Sequence, residues 1–228
     1  MAFRDKLDAL KVNLAPENQP ARSPILSRAI EALIAAEQVN RLPQVGEIAP
    51  AFTLPDATGT TISSAALLRH GPLVLTFYRG LWCPYCQRDL HAFEEALPGI
   101  RSVGASVVGI AHRFASDDSR VLRHAREIGF PVLDDGEGDV AVRFGLRWAP
   151  DDSRLIEEQL GLNLFSFRGT EPWIVPMQAR YVIGRDGIIV FTEVAFDYSQ
   201  RSEPASVLPV LARLPGPSAA TGQMGGLS

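Results

Sequence analysis

The chain predicts an α/β fold: a central mixed β-sheet flanked by helices, with a helical extension at the N-terminus. Three observations carry this. Apolar runs of strand length, at 73–78, 105–111 and 180–183, alternate with segments of helical periodicity, the pattern of parallel strands joined by crossover helices. The last two strands, 180–183 and 188–194, are separated by Gly184-Arg185-Asp186-Gly187, a turn that makes an antiparallel hairpin at one edge. Finally, 228 residues of which 46% are hydrophobic suffice to bury one substantial core.

In chain order, residues 1–42 read as the helical extension. Phe3, Leu7, Leu10 and Leu14 form one apolar stripe. Ser23-Pro24 caps a second helix carrying Leu26, Ile30, Leu33 and Ile34. Such stripes ordinarily pack on the body of their own domain; the alternative is a face that pairs two copies in a homodimer. The domain proper spans 43–214. It opens with a turn-rich entry at 46–54 that includes a short strand, followed by a turn at 56–60, a second strand at 61–63 and a helix at 64–70. After the strand at 73–78, Leu90, Phe93, Glu94 and Leu97 recur at helix spacing. The strand at 105–111 precedes a charged helix at 116–128, a short strand at 130–133 and a helix at 140–144. Residues 146–176 form an insertion of irregular composition with a helix near 153–160, and residues 203–214 form a closing helix. The end, 215–228, is rich in Gly, Ser, Ala and Pro and is expected to be disordered.

Bulk properties exclude several function classes. A net charge of −4 and an isoelectric point near 5.6 argue against a broad nucleic-acid or membrane-surface footprint. No run of eighteen apolar residues is present, so no membrane span is expected. The first twenty residues are polar and charged and lack the apolar stretch of a signal peptide, which points to the cytoplasm.

The two cysteines of the chain lie together in Trp82-Cys83-Pro84-Tyr85-Cys86, where a strand turns into a helix. Backbone N–H groups without partners and the positive end of the helix dipole favour thiolate there, and the thiolate is the nucleophile. A two-residue gap lets one sulfur attack while the other closes a short disulfide. Two blander readings compete. A zinc half-site would need two further ligands, and His70, His91, His112 and His124 show no paired spacing. A pair of inert buried cysteines would have to fall on the strand-to-helix corner by chance. Thiol redox chemistry is the better reading, in a reducing compartment where such pairs are seldom structural.

Three segments together resemble the alkyl hydroperoxide reductase/thiol-specific antioxidant family. They are Gly46-x-x-Ala49-Pro50-x-Phe52-x-Leu54, Phe77-Tyr78-Arg79-Gly80-x-Trp82-Cys83-Pro84-Tyr85-Cys86, and Tyr181-Val182-Ile183-Gly184-Arg185-Asp186-Gly187. Within that family the chain is similar to peroxiredoxin-like proteins that carry a thioredoxin-style C-x-x-C. The resemblance covers roughly 45–212 and implies a thioredoxin-like fold. Typical peroxiredoxins carry Pro-x-x-x-Thr-x-x-Cys, a register that puts Arg79 at the Pro, Cys83 at the Thr and Cys86 at the peroxidatic cysteine. Thioredoxin-type enzymes run the other way, the first cysteine attacking and the second resolving. Both assignments stay open, with Cys83 favoured slightly because it reads as the exposed tip of the loop.

The same alignment places Gln178 where peroxiredoxins have an arginine and thioredoxins a cis-proline. Arg180, two residues on, projects to the same face and could reach the site, or could be an ordinary surface strand residue. Pro176 offers a place for a cis bond, the alternative being a trans loop proline. Arg79 is the stronger candidate for holding a thiolate or a peroxide oxygen; its rival role is an ion pair with Asp89 or Glu94. Trp82 is expected to shield the thiols, and Tyr85 to donate a hydrogen bond or simply pack. For the segment Asp197-Tyr198 with Arg201 and Glu203-Pro204, helix capping by the acids is the default. The resemblance implies a thiol peroxidase acting on hydrogen peroxide or organic hydroperoxides, regenerated by thioredoxin or another dithiol donor, with no metal, flavin or nucleotide cofactor. The rivals are a protein-disulfide oxidoreductase and a catalytically idle scaffold.

Overall fold

In the computed structural model, residues 24, 28, 31–32, 41–81, 83–112, 127–148, 175–197 and 201–215 are described. The helices expected within 1–42, at 116–128 and at 153–160, most of the 146–176 insertion, and the tail beyond Pro215 lie outside the described residues, as do Trp82 and Tyr198.

The chain enters through a hairpin of β1 (Thr53–Pro55) and β2 (Thr61–Ser63), paired antiparallel. Asp56 holds its turn, its carboxylate accepting from the backbone N–H groups of Thr58 (2.8 Å) and Thr60 (2.9 Å). Helix α1 (Ser64–His70) starts where Ser63 Oγ accepts from Ala66 N at 3.1 Å, the cap that its residue type favours.

The central sheet follows: β3 (Leu73–Phe77), β4 (Ser106–Ala111), β5 (Val132–Asp134), β8 (Gln178–Ile183) and β9 (Ile189–Ala195), in spatial order β5-β4-β3-β8-β9. Strands β3, β4 and β5 are parallel, and β8 and β9 run antiparallel at the other side, so the mixed sheet is the predicted one. All five residues of β3 are buried, as befits a strand covered on both faces. A short pair, β6 (Arg147–Trp148) with β7 (Val175–Pro176), closes the two ends of the insertion.

Helices α2 (Pro84–Ser102) and α3 (Asp139–Arg143) cover opposite faces. Phe93 of α2 lies under the guanidinium of Arg180, 5.2 Å from its centre. Phe144, at the end of α3, packs instead on Phe77 (5.0 Å between ring centres) and Tyr181 (5.1 Å). Because alternate strand residues point to opposite faces, Gln178, Arg180 and Val182 share the α2 side and Ala179, Tyr181 and Ile183 the other.

Several element boundaries differ from expectation, among them β8, which begins at Gln178 rather than at 180. The strand expected at 130–133 begins two residues later, because its ladder starts at Val132 opposite Gly109, while Phe130 leaves the sheet to pack edge-on against Phe93. The closing helix is broken into a 3-10 turn (Pro204–Val207) and α4 (Leu208–Leu211). Pro209 has no N–H to continue the ladder from the first piece, so the helix restarts around it. Glu203 precedes the 3-10 turn but makes no side-chain capping bond, contrary to the capping role expected of it.

Candidate active site

The site lies at the end of β3. Tyr78 extends that strand, its N–H bonding to Ile110 O at 3.0 Å, and the chain then turns through Gly80 at φ +145°, a conformation that favours glycine. The turn closes with Cys83 N donating to Gly80 O at 3.2 Å. Cys83 is the N-cap of α2, Pro84 sits in the first helical turn, and Gln87 N donates to Cys83 O at 3.0 Å. Cys86 is therefore one turn into the helix, where the sequence placed it.

Both cysteines are free thiols and both are buried, Cys83 with 1% of its surface exposed and Cys86 with none. The expectation that Cys83 is an exposed loop tip is thus corrected. The loop folds back beneath the segment that follows β9: Arg201 Nη1 reaches the backbone oxygen of Tyr85 at 3.2 Å. Tyr85, between the cysteines, is itself buried. Its phenol is pushed up to about 12 by burial and by the charges of Cys83 and Asp197, against the opposing pull of Arg201, so it stays protonated at neutral pH.

The two sulfurs differ sharply. Burial raises the pKa of Cys83, but a hydrogen bond from the Cys86 thiol and the charges of Arg79 and Arg201 outweigh it, bringing the thiol down from 9.0 to about 6. Cys86 is driven well above its ordinary value by burial and by the hydrogen bond and charge of Cys83, with Arg201 and Arg79 only partly offsetting this. The pair thus carries one negative charge and one proton, the charge on Cys83.

Beneath the cysteines lies a buried polar layer drawn from three segments. Asp89, three residues after Cys86 on α2, is fully buried. Its Oδ1 accepts from Arg180 Nη2, and its Oδ2 accepts from Gln178 Nε2 at 2.9 Å and lies 3.7 Å from Arg201 Nη1. Gln178 Oε1 lies 3.7 Å from the Cys86 sulfur, a second acceptor for the one S–H proton that also faces Cys83. Arg180 is no surface residue: it is 1% exposed, and its other nitrogen donates to Ser202 O (2.7 Å), Ser202 Oγ (3.0 Å) and Glu193 Oε2 (3.4 Å). Glu193 also accepts from Ser202 N at 2.9 Å, so β8 and β9 together clamp the segment that brings Arg201 in.

The sequence-derived candidates therefore divide. Arg79 is buried and acts on both sulfurs. Arg180 reaches the site at one remove, through Asp89. The carboxylates proposed as rivals for Arg79 are engaged elsewhere as well, Asp89 as above and Glu94 with His91 (3.0 Å) and Gly129 N (2.9 Å). The bond before Pro176 is trans, so that proline is the ordinary one. Arg201 is the cation that sequence reasoning gave no role. Its signal was its place after the last strand, but only the fold brings it 118 positions back along the chain to Cys83.

The family model described as AhpC/TSA matches residues 45–192. A Mycobacterium tuberculosis protein carrying a provisional peroxiredoxin name is 33% identical over 104 residues, which cover 46% of this chain and 67% of that one. Chloroplastic peroxiredoxin Q of Triticum aestivum is 30% identical over 101 residues, 44% of this chain and 46% of that one. The chain thus spans about two thirds of the first relative and about half of the second. Among solved structures, peroxidoxin BcpB of Mycobacterium tuberculosis superposes with a TM-score of 0.56 at 26% identity, over 75% of this chain and 95% of that one. With a family match over more than half of its length and a thioredoxin-like sheet that carries both cysteines at the expected corner, the chain belongs to the AhpC/TSA family and is a peroxiredoxin-type oxidoreductase, in general terms a thiol-dependent peroxidase.

Proposed function

We propose that the protein reduces hydrogen peroxide or a small organic hydroperoxide, with Cys83 as the attacking thiolate and Cys86 as the resolving thiol. The observation that carries this reading is the placing of the pair: two free thiols with two residues between them at a helix start, Cys83 at the N-cap, where the charges of Arg79 and Arg201 favour its thiolate. In the first step Cys83 sulfur bonds to the terminal peroxide oxygen and the O–O bond breaks. The alkoxide or hydroxide that leaves takes a proton from solvent to become alcohol or water, and Cys83, with the terminal oxygen and its proton, becomes a sulfenic acid. Arg79 and Arg201 hold the thiolate and can receive the charge that develops on the leaving oxygen. In the second step Cys86 sulfur attacks Cys83, the S–O bond breaks, and the Cys86 proton departs with the hydroxyl as water. An external dithiol then reduces the disulfide by exchange and is itself oxidised.

Burial favours this reading over protein-disulfide exchange. A hydroperoxide is small enough to reach a sulfur that is 1% exposed, whereas a protein disulfide must dock its own backbone against it. The same burial makes reduction of the oxidised pair the expected slow half of the cycle, because a bulky donor must reach a covered sulfur.

The test is a stopped-flow rate of the reduced protein with hydrogen peroxide across pH. The rate should rise through about 6 and be flat at neutral pH. Cys83→Ser should abolish the reaction, whereas Cys86→Ser should retain the first step and stop at sulfenic acid. A rate equal to that of an ordinary free thiol, or a midpoint near 9.0, overturns the proposal.

A further inference from the structure

We propose that Gln178, held in one orientation by Asp89, is the positioning residue that keeps the proton on Cys86 and so assigns the charge to Cys83. The proposal deepens the reading above and rests on it for the identity of the attacking thiol.

The geometry leaves the Gln178 amide no choice of orientation. A carboxylate has only acceptors, so the nitrogen of the amide must face Asp89 Oδ2, at 2.9 Å. The amide oxygen is then turned towards Cys86 Sγ, at 3.7 Å. Flipping the amide would set oxygen against a carboxylate in a layer where Gln178 is 2% exposed and Asp89 fully buried. Asp89 is anchored in turn by Arg180 and Arg201, two guanidinium groups from different segments.

A carbonyl oxygen at that place discriminates between the two states of Cys86. It accepts a hydrogen bond from the thiol, but presents its negative end to a thiolate. The charged and titratable groups around Cys86 are Cys83 and Asp89 on α2, Tyr78 and Arg79 after β3, Arg180 on β8 and Arg201 after β9. Arg79 and Arg201 favour the thiolate of both cysteines and so lower the pKa of the pair without choosing between its members, whereas the hydrogen bonds that Cys83 receives from the thiol and backbone N–H of Cys86 favour the charge on Cys83. Gln178 touches Cys86 and is tied to a fixed partner, and by favouring the protonated thiol there it reinforces that choice. In the resolving step the proton it has kept on Cys86 is the one that leaves with the Cys83 hydroxyl as water.

The experiment is site-resolved alkylation of the reduced full-length protein at limiting iodoacetamide, with peptide mass spectrometry. The wild type should label Cys83 first. Gln178→Met removes the carbonyl and keeps the bulk, and Gln178→Asn keeps the amide but withdraws it from the sulfur. In either variant the Cys83-to-Cys86 labelling ratio should fall by roughly tenfold, the change that corresponds to one pKa unit of relative acidity. An unchanged ratio in a variant that keeps the wild-type circular dichroism overturns the proposal. Should neither variant fold, the Gln178 side-chain amide resonances of the wild type decide. They should shift when the Cys83–Cys86 disulfide forms, and resonances that stay in place identify Gln178 as packing only. Because alkylation needs no peroxide, a changed ratio in a protein inert to hydroperoxides would sink the proposed activity and keep this inference. A wild type that labels Cys86 first would sink the order of attack and this inference with it.

Discussion

Asp89 and Asp135 are both buried carboxylates beside helices of the same domain, and they are satisfied in opposite ways. Asp135 follows β5, and its two oxygens accept from the backbone N–H groups of Val140 (2.9 Å) and Ala141 (2.8 Å) at the start of α3. Its partners are five and six residues away and belong to the main chain. Burial raises its pKa, those two bonds partly restore it, and Asp139 and Arg143 act in opposite directions. Asp89 has side-chain partners, Gln178, Arg180 and Arg201, brought from distant parts of the chain. A local anchor of the first kind fastens one helix to one strand. The second kind fastens α2, β8 and the segment after β9 to one point, directly under the two sulfurs.

The largest expected effect follows from breaking the second anchor. Asp89→Ala removes the carboxylate shared by two buried guanidinium groups, leaving Arg180 with Glu193 as its remaining acid, and should destabilise the reduced protein by about 3–5 kcal/mol. Asp135→Ala loses hydrogen bonds to a charged acceptor but strands no opposite charge, so about 1–3 kcal/mol is expected. The two should also differ at the thiols. With its counter-charge gone, Arg201 should lower the Cys83 titration further in Asp89→Ala, whereas Asp135→Ala should leave it unmoved. Urea denaturation and thiolate absorbance on each variant test this. Equal losses of stability, or a thiol shift in Asp135→Ala, would erase the distinction between the two regions.

Arg79→Ala isolates the charge from the scaffold. Arg79 is one of two guanidinium groups that bring the Cys83 thiol down, so its removal should move the titration from about 6 back towards 9.0. Each unit regained corresponds to roughly 1.4 kcal/mol between protonation states and slows the peroxide reaction below the new midpoint. The same shift is linked to stability. A thiol whose folded-state value is depressed adds stability that is fully present above the ordinary 9.0 and is lost as pH falls through about 6. Cys86 has the opposite sign: its raised value makes its contribution full below 9.0 and lost as pH rises through the folded-state value. Wild-type stability should therefore climb with pH between these limits, and less steeply in Arg79→Ala. A variant that melts early while its thiol titrates as in the wild type would make Arg79 a structural residue.

These contrasts also explain what could be read from the sequence. The hairpin turn at 184–187, the buried strand expected at 73–78 and found at Leu73–Phe77, and the placing of Cys83 at a helix start rest on short-range rules, and all are present. The Asp89 layer rests on no such rule. Gln178 stood out only by departing from the family pattern, and Arg201 had no assigned chemistry, because their shared partner is fixed by the order of strands in the sheet. The burial of Cys83 was missed for the same reason: what covers a loop tip here comes from the far end of the domain.

The smallest expected effect concerns Tyr78, where the cysteine corner meets the core. Its side chain is fully buried, and its hydroxyl has no hydrogen-bond partner among the described residues. Burial first, and then the charges of Cys86 and Asp134, push the phenol well above its ordinary value, so it is neutral throughout the working range. The ring is fitted to the strand beside it: a Cβ at Gly109 would stand 3.1 Å from it. Tyr78→Phe keeps that fit and removes one buried polar atom. A bonded hydroxyl would be missed by about 1 kcal/mol, but here no partner is stranded and a desolvation cost disappears. The variant should accordingly be as stable as the wild type or up to about 1 kcal/mol more stable, with an unchanged Cys83 titration. A loss of more than that in urea denaturation, accompanied by a shift in the thiol, would place Tyr78 with Asp89 in the layer that serves the sulfurs, and the boundary between core and site would move one residue towards β3.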